Sequence, residues 1–194
     1  MYMLILVSEC GGSLITPRLI ATAAHCTDAE PSEYVACDHS DKKRYAVLGA
    51  HEISFNVTNP YTIPVIDIEL PPHAFFRETD PESHDFAIAI LETPATLSDF
   101  VLPICLPKIN LEVEPGTVGY TAGWGLHDYK DQSTSKFLRF VDVEVIGLRE
   151  NKHMIYTTVN KTVNGTWKDD CSGDSGGPFM ILNNDHRFVL AGES

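Results

Sequence analysis

Residues 169–178 read D-D-C-S-G-D-S-G-G-P. Ser175 stands between Asp174 and a pair of glycines. A serine hydroxyl is a poor nucleophile by itself and needs a base, usually histidine, held in turn by a carboxylate. Attack on a carbonyl also creates an oxyanion that requires preorganised donors. Glycine at 173 lets the backbone N–H groups of Gly173 and Ser175 turn toward one point, and Gly176 and Gly177 leave room for a substrate to approach. The alternative is a Gly-rich turn carrying a surface serine, so the reading depends on whether a base and an acid occur elsewhere.

A candidate base lies in A-T-A-A-H-C, residues 21–26, where His25 precedes Cys26 and follows an apolar strand expected over Leu14 to Ile20. A bridge between Cys10 and Cys26 would staple the histidine-bearing loop to the strand that begins C-G-G-S-L. A candidate acid is Asp85, at the mouth of the apolar run F-A-I-A-I-L. Taken singly, the histidine could be structural and the aspartate could cap its own turn.

The rest of the chain sets the frame. Its 194 residues suffice for one large domain or two small ones. Short runs rich in Val, Ile and aromatics are separated by Pro and Gly: 44–48, 62–70, 86–91, 117–122, 137–146, 179–182 and 188–191. That spacing predicts antiparallel barrels or sandwiches rather than βαβ units. Only A-A-H-C-T reads as briefly helical. A Pro-rich connector from about Pro103 to Gly116 divides the chain into similar halves.

Net charge is −13. Such a chain has no basic patch with which to displace counterions, so nucleic acid and anionic membrane are not expected as partners. Cationic substrates are compatible with it. The opening M-Y-M-L-I-L-V is too short to span a bilayer and lacks the basic flank of a signal peptide, so it reads as a buried strand leading toward Cys10. None of the five cysteines forms C-x-x-C, so no zinc site is expected. The odd count implies a partner outside these residues for at least one of them. Sequons at Asn56, Asn160 and Asn164 are candidate glycosylation sites of a secreted protein.

C-G-G-S-L, A-A-H-C, H-D-F-A-I-A-I-L, P-I-C-L-P, A-G-W-G and C-S-G-D-S-G-G-P occur in that order. Together they resemble the chymotrypsin/trypsin family of serine endopeptidases over nearly the whole chain. The order His, Asp, Ser matches that family and not the subtilisins or α/β-hydrolases. The resemblance implies an all-β fold of two packed antiparallel barrels. Residues 1–107 would form the first, carrying His25 and Asp85 and lacking its first strand. Residues 108–194 would form the second, carrying Ser175 and lacking its last strands and helix.

By the same resemblance Ser175 is the nucleophile, His25 the general base and acid, and Asp85 the group that orients His25. The N–H groups of Gly173 and Ser175 form the oxyanion hole. Asp169, six residues before Ser175, occupies the floor of the specificity pocket, which implies protein or peptide substrates cleaved after Arg or Lys. Asp174 pairs with an amino terminus released by proteolysis. The implied protein is a secreted zymogen that uses no cofactor, and protease inhibitors are possible partners.

Several departures from the family pattern are visible. No I-V-G-G sequence appears. Cys105 and Cys171 lack the partners the family gives them, Cys37 is unassigned, and residues 145–162 contain no cysteine. Ala50 replaces the carboxylate that opens the trypsin calcium loop, so calcium is not expected. F-V-L-A-G-E-S, residues 188–194, ends just before the family's substrate-binding strand. These departures lead to the expectation that the 194 residues alone are weakly active or inactive. They also keep open a second reading, that of a non-catalytic homologue acting by protein binding.

Overall fold

The computed structural model describes residues 3–6, 10–27, 44–52, 61–70, 85–128, 133–148, 155–157, 160–161, 167–168 and 174–194. Among them the regular structure is strand apart from one 3-10 turn, Ala24–Thr27. Six strands close the first barrel: β1 (Met3–Leu6), β2 (Cys10–Thr16), β3 (Leu19–Thr22), β4 (Arg44–Leu48), β5 (Thr62–Glu69) and β6 (Ala87–Leu91). They run in the order β1-β2-β3-β6-β5-β4, and β1 completes the ring by pairing with both β2 and β4. Closure removes the exposed edges that an open sheet would present.

The apolar run expected as one strand over Leu14 to Ile20 is two strands. Pro17 supplies no backbone N–H and has a fixed φ, which suits a turn and not a ladder. The Thr16 hydroxyl accepts hydrogen bonds from the backbone N–H groups of Arg18 (3.2 Å) and Leu19 (3.0 Å). The chain therefore reverses at Pro17–Arg18, and β3 returns antiparallel to β2, with Leu14 opposite Ile20.

The second half contributes β7 (Val118–Gly123), β8 (Leu126–Asp128), β9 (Ser133–Thr134), β10 (Arg139–Leu148), β11 (Ile155–Thr157), β12 (Asn160–Lys161), β13 (Trp167–Lys168), β14 (Pro178–Leu182) and β15 (Phe188–Glu193). Five of them form an antiparallel sheet in the order β11-β10-β7-β14-β15, while β8 with β9 and β12 with β13 form two-stranded ribbons. The runs 44–48, 62–70, 86–91, 117–122, 137–146, 179–182 and 188–191 each correspond to a strand, displaced by no more than two residues at either end.

Three apolar clusters hold this arrangement. Leu14, Ile20, Ala46, Leu48, Ile63, Ala89, Leu91 and Val101 fill the first barrel. Val143, Val145 and Phe179 pack inside the second sheet. Between the two lie Ala21, Ile104, Ala122, Trp124, Met180 and Leu190, drawn from both halves. The connector threads this seam. Ile104 donates its N–H to Leu14 O (2.8 Å), and Cys105 O accepts from the N–H of Leu190 (2.9 Å). A second tie links the halves where Leu138 N–H donates to His51 O (2.7 Å). The two halves are thus held together by backbone bonds as well as by side-chain burial.

Candidate active site

Strand register brings the candidate base and the candidate acid together. β3 pairs antiparallel with β6, and Thr22 lies opposite Ala87. His25 follows Thr22 by three residues and Asp85 precedes Ala87 by two, so both emerge from the same end of one strand pair. The turn holding His25 is closed by Cys26 N–H to Ala23 O (3.2 Å) and by the Thr27 hydroxyl to Ala24 O (2.6 Å). A disulfide joins Cys26 to Cys10 at the start of β2. The staple envisaged from the sequence is therefore present.

Asp85 grips His25 with both carboxylate oxygens. Oδ1 accepts the His25 backbone N–H at 2.8 Å, and Oδ2 lies 2.5 Å from Nδ1 of the ring. A ring N–H facing a carboxylate is fixed as the Nδ1–H tautomer, which leaves Nε2 with a free lone pair. The side chains are 37% and 31% exposed, so the pair is partly desolvated yet open on one side. The hydrogen bond to Asp85 raises the His25 pKa above 6.5, against the lowering effect of burial, and the negative charge of Asp85 adds to the rise. Burial pushes the Asp85 pKa up, but hydrogen bonds from the His25 ring and backbone, the imidazolium charge and a backbone bond from Ala24 outweigh it. The net shift is downward from 3.8.

Ser175 lies in the tight turn Asp174–Gly177, closed by Gly177 N–H to Asp174 O (2.8 Å). Gly176 adopts φ 73°, a conformation that costs an L-residue about 1–2 kcal/mol. A Cβ there would also stand 2.5 Å from the Thr22 hydroxyl and 2.7 Å from Gly11 O. Glycine at 176 thus serves conformation and close approach together. The turn is docked onto the first barrel by Gly11 N–H to Ser175 O (2.6 Å). Thr22, three residues before His25, reinforces the contact through its hydroxyl bond to Gly11 O (2.8 Å). The serine-bearing turn is therefore packed on the strand ends that lead to His25, and Ser175 is half-buried.

On the far side of the same turn, Asp174 sits in a glycine cradle. Its Oδ1 accepts the Gly125 N–H at 2.7 Å, and a Cβ on Gly123 would collide with the same oxygen. The two glycines of A-G-W-G are there because the carboxylate needs the space.

A profile of the Trypsin family matches residues 2–192. This chain belongs to the trypsin family. Its fold is the two-barrel fold of the trypsin-like serine proteases. No helix among the described residues is long and apolar enough to cross a membrane.

The remaining sequence-derived positions divide as follows. Gly173, Asp169, Asn56, Asn164, Cys37 and Cys171 lie outside the described residues, and Asn160 opens β12. Cys105 is half-buried with a free thiol. Ligand atoms of Cys10, His25 and Cys26 lie close together, but both sulfurs are consumed by the disulfide. The imidazole is then the single donor left, too few to hold an ion. One residue escaped sequence reading altogether. Glu193, the last residue of β15, has both carboxyl oxygens buried, and the Asp85 charge acts on it. A glutamate at the end of the apolar run F-V-L-A-G reads from sequence as a solvent-facing strand end, and only the folded register turns it inward.

Proposed function

We propose that the protein is a secreted serine endopeptidase that cleaves after Arg or Lys through an acyl-enzyme, with Ser175 as nucleophile, His25 as general base and then acid, and Asp85 as the orienting carboxylate. The observation that carries this reading is the two-point grip of Asp85 on His25, beside the turn that bears Ser175. In the proposed reaction His25 Nε2 takes the Ser175 hydroxyl proton as Oγ bonds to the substrate carbonyl carbon. The carbonyl oxygen becomes an oxyanion facing the N–H groups of Gly173 and Ser175. Collapse of this intermediate breaks the C–N bond, and the imidazolium gives its proton to the departing amine. Water then repeats the sequence on the ester and restores Ser175.

Asp169 is assigned to the pocket floor, where a carboxylate would hold a guanidinium or ammonium by charge-assisted hydrogen bonds. Asp174, in its glycine cradle, is the group proposed to receive a new amino terminus on activation. Glycosylation at Asn56, Asn160 or Asn164 would accompany secretion.

The test is hydrolysis of an arginyl peptide amide by the full-length, activated protein. Wild type should turn it over and Ser175→Ala should not. Asp169→Ser should lose the preference for Arg and Lys while keeping reactivity toward a small active-ester substrate. Equal cleavage of the arginyl amide by Asp169→Ser would remove the specificity assignment, and equal cleavage by Ser175→Ala would remove the mechanism.

A further inference from the structure

The catalytic roles proposed above make no use of the most deeply placed acid near the site. Glu193 closes β15 opposite Pro178 on β14. The next residue ties that strand end to the serine-bearing turn twice: Gly176 N–H donates to Ser194 O (2.5 Å), and Ser194 N–H donates to Gly177 O (3.0 Å). The same turn is held to β2 by the bond from Gly11 to Ser175 O. Glu193 is therefore anchored at a three-way junction of β15, the serine turn and the first barrel. Both of its carboxyl oxygens are buried without a hydrogen-bond partner.

An ionised carboxylate without donors is strongly disfavoured in such a place, whereas a neutral carboxylic acid is tolerated. The charge that acts on it is that of Asp85, itself bound to His25. Among the described residues, the serine turn, β14 and β15 offer it no cation. The one other ionisable side chain on these elements is that of Asp174 in the serine turn, whose carboxylate is turned into the Gly123–Gly125 cradle. Among the described residues the ionisable groups of its surroundings are thus Asp85, with His25 bonded to it, and Asp174 in the serine turn.

We propose that Glu193 is a positioning residue, a buried acid that stays protonated at the junction of β15 and the serine turn and keeps a single negative charge on the His25–Asp85 pair. The inference rests on Asp85 serving His25 as proposed above. While Glu193 is neutral, Asp85 alone balances the imidazolium. Were Glu193 to ionise, a second anion would hold the proton on His25 more firmly and repel Asp85, weakening the grip that sets the ring's tautomer. Burial, with the Asp85 charge adding to it, pushes the Glu193 pKa up from 4.5 to about 9. Folded protein therefore binds one proton more than unfolded chain between those values. The stability associated with Glu193 is full below pH 4.5 and is lost as pH rises toward about 9.

The test follows His25 directly and needs no turnover. Full-length wild type, Glu193→Gln and Glu193→Met are titrated by NMR on the His25 ring resonances, and their melting temperatures are measured from pH 4.5 to 10. Wild type should show, beyond the His25 titration itself, a second step in the ring shifts near pH 9. Both variants should lack that step, and both should melt higher than wild type at pH 8 while matching it near pH 4.5. Glutamine keeps the shape of the neutral acid, and methionine guards against an effect peculiar to the amide. Persistence of the second step in the variants would overturn the proposal, even if their melting curves flatten, because Glu193 would then be a buried acid with no hold on His25. Coincident melting curves would overturn it too. An absence of peptidase activity alongside the expected shifts would count against the peptidase reading and leave the coupling of Glu193 to His25 standing.

Discussion

Asp85 holds His25 at two points, the backbone N–H at 2.8 Å and Nδ1 at 2.5 Å, so one carboxylate fixes both the position of the turn and the tautomer of the ring. The two grips are separable by mutation. Asp85→Asn keeps an acceptor for the backbone N–H but can present an amide N–H to Nδ1, which favours the wrong tautomer. Turnover should fall by about 10⁴-fold with the fold intact. Kinetics together with far-UV circular dichroism check this, and activity within tenfold of wild type would show that the tautomer is set by something else.

The pH dependence follows from the same pair. His25 must be neutral to act as base, and its pKa is raised above 6.5. The acid limb of kcat/KM should therefore have its midpoint above pH 6.5 in wild type and move to lower pH in Asp85→Asn. The sign for stability is also set. The raised His25 pKa favours the folded state below 6.5, and that contribution fades as pH rises through the folded value. The lowered Asp85 pKa favours the folded state above 3.8, and that contribution fades as pH falls through its folded value. The pair is thus most stabilising between those limits. Melting curves of wild type and Asp85→Asn should differ most between about pH 4 and 6.5 and converge in stronger acid.

The Cys10–Cys26 disulfide closes a loop of 16 residues that contains the β2–β3 hairpin and leads into the His25 turn. The chain-entropy account assigns a crosslink of this span about 3 kcal/mol. The double replacement Cys10→Ser with Cys26→Ser should lower the unfolding free energy by about that amount, read from urea midpoints. Activity should fall further than stability alone explains, because the turn carrying His25 loses its tether.

Two substitutions separate scaffold from site. Leu91 is fully buried in the first barrel, opposite Val65 on β5, so Leu91→Ala should cost about 2–5 kcal/mol while leaving the residual folded fraction active. Gly176→Ala should behave in the opposite sense. Its backbone cost is about 1–2 kcal/mol, but the new methyl group must displace Thr22 or Gly11. Turnover should therefore drop by orders of magnitude more than the melting temperature suggests. A variant with near-normal kinetics would show that the serine turn tolerates a shift against the first barrel.

Much of this architecture is legible in the amino-acid order. Strand positions follow from alternation and β-branched composition, and strands such as Arg44–Leu48 are recovered with their bounds. His25 and Asp85 are legible as a pair because the motif order is distinctive, although 60 residues separate them. What sequence conceals is register and reversal. The break at Pro17–Arg18 depends on a threonine hydroxyl satisfying two N–H groups, a tertiary detail inside an apolar run. Glu193 is concealed for a related reason, since its carboxyl is buried under the influence of the Asp85 charge only after β15 has folded back onto the serine turn. Propensity along a chain says nothing about which charge a strand end will face.

The central claim, that Ser175 is a nucleophile activated by His25, is tested most directly by covalent labelling. Full-length, activated protein is treated with a fluorophosphonate and the modified residue is located by mass spectrometry. A single adduct on Ser175, formed rapidly in wild type and slowed by several orders of magnitude in His25→Ala, is the expected result. Absence of an adduct on Ser175, or equal labelling of wild type and His25→Ala, would contradict it.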